Sequence, residues 1–133
     1  MPQLNPLDRK AKRIVVVDDD PAVLAAIAFA FEVDGYDVDA FPSAAQSLGG
    51  DLRSAACLVV DYRLPKTDGL ELLEWLRVKG IDTPAVLITS NPKPQELARA
   101  AHMGVSVVEK PFLDDDLAIA VRRAIAGPAD LVS

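Results

Sequence analysis

Cys57-Leu58-Val59-Val60-Asp61-Tyr62-Arg63-Leu64-Pro65 is the stretch whose reading decides the fold. An apolar run, about Ala56 to Val60, stops at an aspartate. A loop through Lys66-Thr67-Asp68-Gly69 follows, and a helical pattern starts at Leu70. A strand of this kind is apolar on both faces and needs cover from both sides. Its last residue then lies at the carboxyl edge of an open α/β sheet, where such folds place their chemistry.

Working outward, the same pattern recurs. Ile14-Val15-Val16-Val17 is a β-branched run too short for a helix, and it ends in Asp18-Asp19-Asp20-Pro21. Asp20 is the expected cap of a helix with Pro21 at its first position, running to about Asp34 and stopped by Gly35. Asp37 to Phe41 reads as a short strand, and Pro42-Ser43 opens a weaker helix ending near Gly49-Gly50. Downstream, Leu70, Leu73 and Leu76, with Leu72 and Trp75, recur at helical spacing up to Gly80. Ala85 to Ile88 is a fourth buried strand ending in Thr89-Ser90; a helix follows, stopped by Gly104. Val105 to Glu109 is a fifth strand ending at Lys110-Pro111, and Asp114 to Ala126 a last helix with Arg122 and Arg123 near its carboxyl end, where they complement the helix dipole. Strands and helices in strict alternation predict a three-layer α/β domain with a five-stranded parallel sheet and helices on both faces. The expected bounds are 12–127, with a flexible extension over 1–11 and a short tail over 128–133.

Composition narrows the function. The chain has 133 residues, half of them apolar and only 5% aromatic, which fits one domain with an aliphatic core. Its net charge of −6 argues against a nucleic-acid surface, since phosphate backbones select basic faces. The longest apolar run, Pro21 to Phe31, is too short to span a bilayer, and the N-terminus lacks a secretory pattern. The single cysteine, Cys57, excludes an internal disulfide and is expected to pack as a small apolar residue. A cytoplasmic domain is the expectation.

The polar residues that interrupt apolar runs stand where strands finish: Asp18 and Asp19, Asp61, Thr89, Lys110. In a parallel sheet those ends share one edge. Crowded carboxylates repel, and a hard divalent cation with oxygen ligands relieves the repulsion. Phosphoryl transfer asks for positioning and charge neutralisation. Asp61 is thus the expected acceptor, Lys110 a charge partner for a phosphoryl oxygen, and Thr89 a hydrogen-bond donor.

At this point the chain resembles the receiver domains of two-component response regulators, and most of all their FixJ-type branch. The resemblance rests on Val17-Asp18-Asp19-Asp20, on Val60 to Pro65 with Asp68-Gly69-Leu70, on Ile88-Thr89-Ser90 and on Glu109-Lys110-Pro111-Phe112, and it covers about residues 12 to 126. It implies a flavodoxin-like, doubly wound sheet of strand order 2-1-3-4-5. It also implies phosphorylation of Asp61 by a histidine kinase or phosphotransfer protein, with Mg2+ as cofactor. Asp19 and Asp61 would bind the ion by side chain, Arg63 by its backbone carbonyl and Asp18 through water. The Lys110-Pro111 bond would be cis. The only enzymatic activity implied is self-catalysed phosphorylation and dephosphorylation. A downstream protein partner follows, in either a stand-alone regulator or a piece of a longer one, and self-association stays open.

Two departures stand out. Val107 occupies the position where the family usually has an aromatic switch residue, and the span from Thr89 to Lys110 is one residue short. They keep alive a phosphorylation-independent interaction module. An enzyme reading also competes, because Asp18-x-Asp20 resembles the nucleophile motif of haloacid dehalogenases. Against it, Ala22 stands where that motif expects Thr or Val, and nothing provides a cap. His102 reads as a solvated helix residue and Trp75 as core or half-exposed. The first helix is apolar all round, so Leu24, Ala28 or Phe29 is expected in part at the surface, as a kinase-docking or self-association face.

Overall fold

β-Branched runs covered on both faces build the centre of the protein. The structure, a computed structural model, describes residues 12–112 and 115–127. The expectations for 1–11, for a helix start at Asp114 and for the tail 128–133 lie outside the described residues. In chain order the elements are β1 (Arg13–Val17), α1 (Pro21–Val33), β2 (Asp37–Phe41), α2 (Ala44–Ser47), β3 (Cys57–Asp61), α3 (Gly69–Val78), β4 (Ala85–Thr89), α4 (Pro94–His102), β5 (Ser106–Glu109) and α5 (Asp116–Ala126). Between β3 and α3 a small antiparallel hairpin pairs Arg63–Leu64 with Thr67–Asp68. The five strands form one parallel sheet in the order β2-β1-β3-β4-β5, as the resemblance implied.

Side chains alternate across the sheet, and the alternation sorts the core into two layers. Val15, Val17, Leu58, Val60 and Leu87 face Leu70, Leu73, Leu76 and Ala100, on the side of α2, α3 and α4. Ile14, Val16, Val59, Val86 and Ile88 face Ile27, Phe31, Leu117 and Val121, on the side of α1 and α5. Cys57 is buried in the second layer, where burial pushes its thiol up to about 12. It packs as an inert apolar residue.

Local chemistry sets the helix ends. Asp20 caps α1, its Oδ1 accepting the Ala22 N–H at 2.9 Å, with Pro21 at the first position. Asp34 is the C-cap, and Gly35 and Gly80 take positive φ just past α1 and α3. Other boundaries shift. The central strand runs Cys57–Asp61 rather than Ala56 to Val60, because the ladder to β4 continues through the pairing of Asp61 with Ile88. The second helix is one turn, Ala44–Ser47, ending before Gly49. The hairpin and the start of α3 at Gly69 were not foreseen: Asp68 caps that helix, its Oδ1 accepting the Glu71 N–H at 2.7 Å.

On α1, Phe29 is 68% exposed while Leu24 and Ala28 are partly buried, so the expected surface apolar residue is there. Trp75 is 46% exposed and His102 lies at the surface. Among the described residues, no helix is long and apolar enough to cross a membrane.

Of the glycines, Gly69 permits the closest approach. A Cβ there would collide with the carbonyl oxygen of Asp61 and lie 2.9 Å from both Leu87 Cδ1 and Val60 Cγ1. Backbone and core side chains cannot yield as a surface side chain would. Gly69→Ala is therefore expected to lower the unfolding free energy by about 1–3 kcal/mol, the usual cost of overpacking. Urea denaturation checks it, and an unchanged midpoint would mean that the acceptor strand and α3 can separate freely.

Candidate functional site

Strand register gathers the interrupting residues. Val17 pairs with Val60, Asp61 with Ile88 and Thr89 with Glu109, so Asp18, Asp61, Thr89 and Lys110 reach the same edge. Strand order reverses its direction at β1 and β3, and the crevice beyond their carboxyl ends is where open α/β sheets bind ligands. Asp18, Asp19 and Asp61 each offer a carboxylate oxygen there, all within 4.8 Å of one another.

Asp18 is completely buried and fully engaged. Its Oδ1 accepts the Asp20 N–H at 2.9 Å, and its Oδ2 accepts a charge-assisted hydrogen bond from Lys110 Nζ at 2.9 Å. Lys110 lies 3.4 Å from Asp61 as well, with its side chain only 18% exposed. The Lys110-Pro111 bond is cis, as the resemblance implied. Thr89 is buried at the end of β4, its hydroxyl 3.4 Å from the Ser90 carbonyl. Arg63 is exposed in the hairpin, two residues past Asp61.

Charge explains the titration. Burial, and then the Asp18 carboxylate, raise Asp61 to about 6, although Lys110 and the Arg63 backbone amide act in the opposite direction. Burial would lower Lys110, but its hydrogen bond to Asp18 and the two carboxylate charges outweigh it and raise the ammonium pKa. Three carboxylates against one ammonium leave an excess of negative charge with oxygen donors converging. That donor set suits a hard divalent cation. Asp61 at the mouth of the hollow, with an ammonium and a hydroxyl beside it, suits the handling of a phosphoryl group.

The comparisons agree with the geometry. Residues 14–122 match the family model described as the response regulator receiver domain, and the chain belongs to that family. It is 32% identical to the response regulator protein TodT of Pseudomonas putida over 124 residues, covering 92% of this chain and 55% of the relative. It is 34% identical to the transcriptional regulatory protein FixJ of Azorhizobium caulinodans over 117 residues, covering 86% and 56%. The chain thus spans about half the length of these curated relatives. Among solved structures, that of FixJ-N superposes with a TM-score of 0.78 at 31% identity, covering 88% of this chain and 95% of that one. The low-resolution structure of the response regulator StyR gives 0.80 at 30% identity, covering 92% and 63%.

Asp18, Asp19 and Asp61 come together here, Lys110 lies against Asp18 and Asp61, and Thr89 ends β4, whereas Arg63 sits in the hairpin. The sequence reading placed Asp68 and Gly69 in the acceptor loop but missed that Asp68 caps α3 and that Gly69 packs against the Asp61 carbonyl. Asp68-Gly69 ahead of an apolar helical run is itself a capping signal.

The raised Asp61 carboxyl makes a stability prediction. Without a divalent ion the folded state holds this proton more tightly than the unfolded chain does. Its favourable contribution is therefore complete below the unfolded carboxylate range and is lost as pH rises through about 6. Asp61→Asn cannot ionise. In a metal-free buffer at about pH 7.5 it is expected to be more stable than the native chain by about 1–3 kcal/mol, the gap closing near about pH 4. Denaturant unfolding at the two pH values measures it. Equal stabilities at both would show that Lys110 already neutralises Asp61.

Proposed function

We propose that Asp61 accepts a phosphoryl group from the phosphohistidine of a histidine kinase or phosphotransfer protein. The observation that carries this reading is the buried Asp18–Lys110 pair, 3.4 Å from Asp61 on the Lys110 side, beside a third carboxylate. In the transfer, a carboxylate oxygen of Asp61 bonds to phosphorus. The phosphorus–nitrogen bond of the donor breaks, and its electron pair stays on the imidazole. Lys110 has the charge and position to meet one phosphoryl oxygen, and Thr89 a hydroxyl to donate to another. Hydrolysis of the acyl phosphate by water returns the free carboxylate, so catalysis is confined to the domain's own loading and unloading.

Mg2+ is the cofactor in this reading, and it would be held by the side chains of Asp19 and Asp61 and the backbone carbonyl of Arg63, with Asp18 acting through water. Bound there, it would screen the negative oxygens of the phosphoryl group. The receiver unit is read as 12–127, which the family match over 14–122 supports. A FixJ-type affinity draws on the 34% identity to one FixJ; TodT at 32% shares that support. For the phosphodonor, an open apolar groove of about 740 Å³ runs between α1 and α5, from Phe29 to Lys110 and Pro111, and brings an apolar helix surface to the edge of the acidic hollow. A downstream protein partner and self-association belong to the same proposal.

Acetyl phosphate with Mg2+, followed by intact mass, tests it. The native chain is expected to gain one phosphoryl group, and Asp61→Asn or chelation of the metal to abolish the gain. Phosphate trapped on Asp18 would establish the hydrolase alternative instead. Partner binding that is the same for native and Asp61→Asn protein, with no response to Mg2+, would establish an interaction module.

A further inference from the structure

Helix α4 is thinly anchored: Ala100 is its one fully buried residue, and Leu97 is 42% exposed. Elements with little buried apolar surface are the ones that move at low cost. What ties α4 to its neighbour is Arg99. Its Nη2 donates to Glu74 Oε1 at 2.6 Å, and its Nη1 reaches Asp68 Oδ2 at 3.5 Å, both on the α3 side. Hydrogen bonding to Glu74, with the Asp68 and Glu74 charges, raises the guanidinium pKa despite some burial. The arginine is half-buried, so solvent screens these pairs only in part.

Asp68 is no ordinary partner. Its other oxygen caps α3. The next residue, Gly69, donates its N–H to the Tyr62 carbonyl at 2.7 Å and lies against the carbonyl of Asp61. Tyr62 in turn donates its N–H to Ile88 at 2.8 Å, one residue before Thr89. Its phenol stands close to Asp68, Glu96 and Arg99, where burial and the two carboxylates raise its pKa. The acceptor loop is thus tied to α4 through Asp68, with the Tyr62 phenol beside the same arginine, both on the carboxyl side of Asp61. Val107 on β5, half-buried against the same layer, has no polar end to contribute.

We propose that Arg99 is a positioning residue for the acceptor loop: its pairs with Glu74 and Asp68 hold α4 on α3 in the unphosphorylated chain, so filling the Asp61 site works against that hold. This rests on the phosphoryl-acceptor reading above. Arg99 acts through Asp68 and Gly69 and touches no reacting atom.

The test measures the affinity of the native chain, Arg99→Gln, Glu74→Gln and the double variant for beryllofluoride with Mg2+, the phosphoryl stand-in. Amide hydrogen exchange across α4 is followed alongside. Arg99→Gln is expected to bind about two- to five-fold tighter, the range open to a partly exposed pair. Glu74→Gln should move the same way by less, and the double variant no further than Arg99→Gln. Exchange in α4 of the free variant should approach that of the ligand-bound native chain. High salt should bring the native affinity toward that of Arg99→Gln, because screening weakens the pairs. Lower stability with unchanged affinity and unchanged α4 exchange on ligand binding would overturn the proposal and leave a structural ion pair. Should Arg99→Gln fail to fold, Glu74→Gln alone decides between those outcomes. No binding by the native chain, or equal binding by Asp61→Asn, would instead remove the acceptor reading, and this inference with it.

Discussion

A carboxylate with no solvent around it needs a cation, and Asp18 finds one in Lys110, ninety-two residues further along the chain. Leaving either group buried without the other would cost several kcal/mol. The pair therefore requires the end of β1 and the end of β5 to meet over the end of β3. Among the described residues no buried side-chain nitrogen or oxygen lacks a hydrogen-bond partner, so the hollow is electrically strained but locally satisfied. What remains uncompensated is charge, and it falls on Asp61.

That residual charge links the fold to its activity. A raised carboxyl pKa marks a site where the ionised form is disfavoured until something positive arrives. A divalent cation answers that need, and a phosphoryl group brings further anionic oxygens close to Lys110. The sheet contributes rigidity: β1, β3 and β4 are buried along almost their whole length, so the edge that presents these groups is held in place. The helices differ in how firmly they are held. α3 buries Gly69, Leu70, Leu72, Leu73 and Leu76, whereas α4 buries Ala100 alone and adds ion pairs. The loosely held helix packs against β5 and is tied to α3, the helix that follows the stiff acceptor strand.

Several features were legible residue by residue. Asp18, Asp61, Thr89 and Lys110 could be picked out because each ends an apolar run, and a buried run cannot tolerate an unpaired polar residue unless it has reached an edge. Asp20-Pro21 announced a helix start, and Gly35 and Gly80 announced ends, because capping and positive φ are local requirements met by few residue types. The extent of β3 was misjudged by one residue because pairing with β4, not the apolar pattern, sets where a strand stops. Arg99 gave no signal: an arginine on a helix looks like a solvated residue, and its partners lie 25 and 31 positions away.

By itself the sequence determined the alternation of strands and helices, the four apolar runs and the residues that close them, since periodicity and capping are written into neighbouring positions. The strand order came with the family resemblance, and only the tertiary structure decided that Lys110 pairs with Asp18 as well as facing Asp61 and that α4 is tied to the acceptor loop through Asp68. Those outcomes depend on register and on side chains meeting across the sheet, and the energy of such meetings belongs to no single stretch of chain.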